Sequence, residues 1–159
     1  MLRAGVPVSM AVLLVAPFLW AKAPETALAV TEAWTRVTPP GTRTGVGFLS
    51  LQNSGPEDRL LSAESPRAGR VELHGMSNTG GVMKMWRIED GLVIPKGGQV
   101  SLAPGGTHLM LFELSRPIVL GEKIPLSLRF EKAGLVQIEL EVMPLGSKGP
   151  LTKPAGSTP

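Results

Sequence analysis

The chain of 159 residues has two histidines, and each opens a His-x-Met pair: His74-Gly75-Met76 and His108-Leu109-Met110. Between them lies a third pair of donors two residues apart, Met83 and Met85. Residues two apart on an extended strand point to the same side, so each pair can aim both of its donors in one direction. A single methionine is more often a core filler than a ligand. Here, though, four of the seven methionines gather around every histidine in the chain. Packing alone does not call for histidine beside Leu73, Leu109 and Leu111. The pattern points to one soft metal site. Thioether sulfur is soft and uncharged and imidazole is borderline, a set that suits Cu(I); zinc usually takes thiolate, imidazole or carboxylate. Neutral ligands leave the ion's charge uncompensated, which fits a carrier that must release its cargo. Protons compete with metal for imidazole, so affinity is expected to weaken in mild acid.

The absence of cysteine excludes disulfides, thiol redox chemistry, a cysteine-linked lipid and any thiolate site, the blue-copper type included. No motif joins either histidine to a nucleophilic serine, so the chain is not expected to be an enzyme. The formal charge of +3 is not a nucleic-acid signature. Setting aside Arg3 and Lys22 of the first 23 residues leaves 14 basic side chains against 13 acidic ones, with no large basic cluster.

Those first 23 residues read as a signal peptide: Arg3, an apolar run centred on Met10 to Ala16, and the small-x-small pattern Ala21-Lys22-Ala23. Export to the periplasm, or more generally outside the cytoplasmic membrane, follows. The alternative is an uncleaved anchor, since residues 4–21 carry no charge and approach the length that spans a bilayer; only then would the chain contact the membrane. Residues 24–145 form one β-domain. Residues 146–159, rich in Gly, Pro, Ser and Thr, are expected to be a disordered tail.

The elements that must carry the donors are strands. Short alternating or apolar runs at 28–37, 45–52, 60–61, 71–76, 82–88, 92–94, 99–102, 108–112, 126–130 and 135–143 are separated by Gly, Pro and Asn-rich breaks. Runs 71–76 and 82–88 flank the turn signal at 77–81 and form a hairpin. Val71 and Leu73 face one side, and Glu72, His74 and Met76 the other. Glu72, Glu89 and Asp90 read as solvated surface acids. Alternation sets Trp86 opposite Met85, as a core residue. The whole is all-β, an antiparallel two-sheet sandwich.

A resemblance then becomes specific. His74, ten residues, Met85, a further 22, then His108-Leu109-Met110 resembles the signature of the PCuAC family of periplasmic copper(I) chaperones. The segments around Gly81 to Met85, Ile94 to Gly98 and Pro104 to His108 resemble that family too, as do Ala33 to Arg36 and Thr38 to Gly41. The resemblance covers 28–143. It implies a cupredoxin-like sandwich on which His74, Met85, His108 and Met110 bind Cu(I), with Met76 and Met83 as alternate ligands or shields. It implies delivery by ligand exchange to the binuclear copper site of cytochrome c oxidase subunit II, alongside a thiol-bearing copper assembly factor. The alternative is a copper storage or scavenging protein without a dedicated acceptor. The tail has no Met or His after Met143, so a second copper site there is not expected.

Overall fold

The computed structural model describes residues 27–150; the expected signal peptide lies outside them, as does the tail from 151. Ten strands follow one another: β1 (Leu28–Arg36), β2 (Thr44–Asn53), β3 (Asp58–Glu64), β4 (Arg70–Thr79), β5 (Val82–Arg87), β6 (Leu92–Ile94), β7 (Gln99–Leu102), β8 (His108–Phe112), β9 (Lys123–Phe130) and β10 (Gly134–Met143). They pair in the order β5-β4-β8-β2-β1-β10-β9-β3-β6, with β7 joined to the second half of β2. All pairings are antiparallel except β1 with β10, which run parallel. The sheet rolls over on itself. Leu73, Leu109 and Leu111 from one end of the path meet Leu60, Ile124, Leu126 and Leu128 from the other in a single buried cluster. This is the all-β, cupredoxin-like sandwich expected from the sequence, closed by one parallel contact.

Two local devices shape the region of interest. Gly80 and Gly81 adopt φ of 60° and 79° and join Thr79 directly to Val82, the two-residue turn that matches strand twist and that glycine favours. β4 therefore continues through Ser77, Asn78 and Thr79, and only the two glycines turn. The second device is in β1, where the register with β2 shifts between Thr31 and Trp34 and Glu32 takes φ of 50°. An extra residue in one strand reverses which alternate side chains face inward. Val30 packs against the main core, whereas Trp34 joins Phe48, Met143 and Val46 in a separate cluster. The Arg36 guanidinium lies over the Trp34 and Phe48 rings at 5.5 and 5.4 Å and donates to the Ser147 carbonyl, tying the first residues after β10 to this cluster.

Candidate metal centre

Strand β4 is the spine of the site, with β5 and β8 pairing to its two edges. Side chains directly opposite on paired strands share a face, so the register sets out the donors in rungs. Glu72 stands opposite Met110, and His74 opposite His108. On the other edge Met76 stands opposite Met85, and Asn78 opposite Met83. The His74–His108 rung is thus central, with Met110 one step to one side and the Met76/Met85 pair one step to the other. Met83 lies a step further, toward the hairpin tip. At about 3.3 Å per residue, the four residues from His74 to Asn78 carry that last rung roughly 13 Å from the histidines. Five of the six residues singled out from the sequence are gathered, and Met83 is set apart.

The imidazole rings are 6.1 Å apart, centre to centre, at an interplanar angle of 45°. A metal–imidazole bond of about 2 Å places an ion roughly 3 Å from a ring centre, so both rings can reach one ion between them. His108 is 3% exposed. The turn before it is closed by hydrogen bonds from Ala103 N to the Thr107 carbonyl and from Gly106 N to the Ala103 carbonyl; the Gly106 carbonyl accepts His108 Nδ1–H at 2.8 Å. His74 Nε2–H donates to Glu72 Oε2 at 2.9 Å, and His74 Nδ1 is buried with no partner. A buried polar atom left unpaired costs free energy, and a bound ion would supply the missing partner.

Glu72 is not the solvated acid expected from the sequence. Its side chain is 14% exposed, and its other oxygen faces Arg70 Nε at 3.1 Å and Arg87 Nη1 at 3.6 Å. The hydrogen bond from His74, followed by the charges of Arg87 and Arg70, holds its carboxyl below the usual range against the cost of burial. Aromatic rings border the pair: Phe48 lies 6.5 Å from His108 and Phe112 lies 6.0 Å from His74. Among the described residues, no three His, Cys, Asp or Glu side chains gather where they could hold a metal ion. The donors next along the strands are thioethers, a set that favours a soft ion.

The hairpin projects beyond the core, and every residue of β5 is exposed. Met85 and Met83 are 50% and 63% exposed, accessible to solvent and to a partner. Trp86 corrects the sequence expectation: it is 51% exposed and lies across Gly75, its cross-strand partner, so closely that a Cβ there would meet the indole at 2.6 Å. It faces away from Met85, as alternation requires, but remains half exposed.

The family model "Putative lipoprotein LpqE-like" matches residues 28–142, from the first strand to the last. The chain belongs to the LpqE-like family. This LpqE-like chain is 31% identical over 113 residues to "Putative lipoprotein Lxx21020" of Leifsonia xyli subsp. xyli, a match spanning 71% of the chain and 68% of the relative. Its fold is that of PCuAC domains, as the sequence resemblance implied. The copper-bound PCuAC domain from PmoF2 aligns with a TM-score of 0.62 and 27% identity, over 74% of this chain and 93% of that domain. The Cu(I) form of DR1885 from Deinococcus radiodurans aligns with a TM-score of 0.53 and 27% identity, over 77% and 80%.

What sequence reasoning missed in the LpqE-like site is its support. Glu72 was legible as a same-face neighbour two residues before His74, and that spacing was the available signal. Phe112 was legible in the same way, two residues after Met110 on β8, whereas Phe48 and the Gly106 carbonyl reach the histidines through strand pairing or a turn.

Proposed function

We propose that this chain is an extracytoplasmic Cu(I) chaperone. It holds one ion between His74 and His108, with Met110 and Met85 completing the set and Met76 as the alternate sulfur on the Met85 rung. The observation that carries this reading is the His74–His108 cross-strand pair, flanked along the strands by thioethers and not by acids able to complete a hard-metal site. The copper named in the PmoF2 and DR1885 structures supports the choice of ion. A scaffold without thiolate gives neutral ligands, and half-exposed sulfurs on a projecting hairpin suit ligand exchange with a docked acceptor. The N-terminal pattern and the lipoprotein names of its relatives support a place outside the cytoplasmic membrane. The acceptor proposed is the binuclear copper site of cytochrome c oxidase subunit II, with a thiol-bearing assembly factor as co-worker. No catalytic step is assigned.

The test has two stages. Cu(I) is titrated against a chromophoric chelator with wild type and His108→Ala; equal affinity removes the site. The loaded protein is then mixed with the apo copper domain of the oxidase subunit. Transfer supports delivery, and retention of the copper supports storage instead.

A further inference from the structure

Neither imidazole is free to choose its tautomer. A neutral ring carries one N–H, and the partner that accepts it decides which nitrogen is left bare. A carbonyl can only accept, so the Gly106 contact puts the His108 proton on Nδ1 and leaves Nε2 available. A carboxylate likewise accepts, so the Glu72 contact puts the His74 proton on Nε2 and leaves Nδ1 available. That Nδ1 is one of two buried side-chain polar atoms without a hydrogen-bond partner among the described residues; the other, Arg67 Nε, belongs to an arginine already paired with Glu122. Glu72 is itself held by Arg70 and Arg87 on its second oxygen. Arg70 in turn lies over the Phe112 ring at 4.4 Å and also pairs with Glu113 at 2.6 Å. The carboxylate is thus clamped from one side while it orients the imidazole on the other.

We propose that Glu72 is a positioning residue that fixes the His74 tautomer, so that the two histidines offer unlike nitrogens to one ion, Nδ1 from His74 and Nε2 from His108. This rests on the copper-carrier reading and specifies which atoms it uses. A carboxylate accepting the remote N–H of a ligating imidazole orients the ring and raises its basicity, and loss of such a partner typically weakens metal binding by 10- to 100-fold.

The experiment is nitrogen-15 NMR of the imidazole rings in the full chain, without metal and with one equivalent of Cu(I), for wild type, Glu72→Ala and Glu113→Gln. In metal-free wild type, His74 is expected as the Nε2–H tautomer and His108 as the Nδ1–H tautomer. Metal should move His74 Nδ1 and His108 Nε2. Glu72→Ala should give His74 a mixture of tautomers and an affinity about 10- to 100-fold lower, with an unfolding midpoint recorded alongside. Glu113→Gln disturbs the same arginine without touching His74 and should leave tautomer and affinity unchanged. A His74 carrying its proton on Nδ1 in metal-free wild type overturns the proposal. So does metal that moves His74 Nε2, or a tautomer indifferent to Glu72→Ala. If metal moves neither ring, the carrier reading and the ion-facing half of the proposal fall together, while the metal-free tautomers decide separately whether Glu72 holds His74.

Discussion

His74 and His108 are direct cross-strand partners, with ring centres 6.1 Å apart on the central rung of a five-donor face. Two ligands of one ion act as a unit, so their removal should be far from additive. His74→Ala and His108→Ala are each expected to lower Cu(I) affinity by more than about a hundredfold, beyond the effect typical of outer-shell changes, and the double variant should be little worse than either single one. Competition titration of all four proteins measures this. Full additivity would mean that the rings do not share an ion.

The methionines should rank by rung. Met110 and the Met76/Met85 pair are one step from the histidines, and Met83 is two steps away. Met83→Ala should leave affinity within about threefold, a difference of roughly 0.65 kcal/mol. Met76 and Met85 stand opposite each other and can substitute for one another. Met76→Ala and Met85→Ala should therefore each cost less than half, in free energy, of what the double variant costs. Sulfur counts from X-ray absorption of the Cu(I) form provide the check, and a sulfur lost on Met83→Ala would contradict the ranking.

The strands were legible because most alternate cleanly between glycine breaks. β6 and β7 coincide with the runs at 92–94 and 99–102. The two faces of β4 follow from Val71, Leu73 and their polar neighbours. What a period of two does not convey is which strands pair and how far each sheet reaches. Trp86 alternates like a core residue, but β5 is exposed throughout, and the ring lies against Gly75 while half of it stays in solvent. Trp34 leaves the main core because β1 is bulged at Glu32, and glutamate is no signal for a residue with positive φ. The convergence of His74 with His108 depends on β4–β8 pairing, a non-local contact that the residues between them do not encode; the ligand spacing of a family resemblance supplied it.

Gly75 should resist substitution. A Cβ there would lie 2.6 Å from the Trp86 ring, so Gly75→Val must push the indole off the strand. Because Trp86 is already half exposed, the ring can swing outward, and the expected cost is about 1–3 kcal/mol, the usual range for overpacking. Tryptophan emission should shift toward that of a solvated indole, with buried Trp34 as the unchanged component. Copper affinity should also fall, since Met85 immediately precedes the displaced Trp86. Unchanged emission and stability would show that Trp86 does not bind Gly75 in solution.

Asp58 ties the β9–β10 turn to the start of β3 and should give stability a defined pH dependence. It is 5% exposed. Its Oδ1 accepts from Arg59 N at 2.7 Å and Lys132 N at 2.9 Å, and its Oδ2 from Ala133 N at 2.9 Å. Burial opposes its charge, but the backbone hydrogen bonds from Lys132, Arg59 and Ala133 outweigh it, and the carboxyl is held below its usual value. A carboxyl with a lowered folded-state pKa contributes stability in full above its unfolded pKa, about 3.9, and loses it as pH falls through the folded value. Asp58→Asn keeps the shape but turns an NH2 toward a backbone donor, so at pH 7 it should be less stable than wild type by about 2–3 kcal/mol. The gap should hold from neutral pH down to about 4 and narrow below that as the wild-type carboxyl protonates. Urea unfolding of both proteins at about pH 7, 5 and 3, bracketing the usual carboxyl pKa, reads it directly. A gap of the same size at all three would mean that the ionisation of Asp58 does not set the difference.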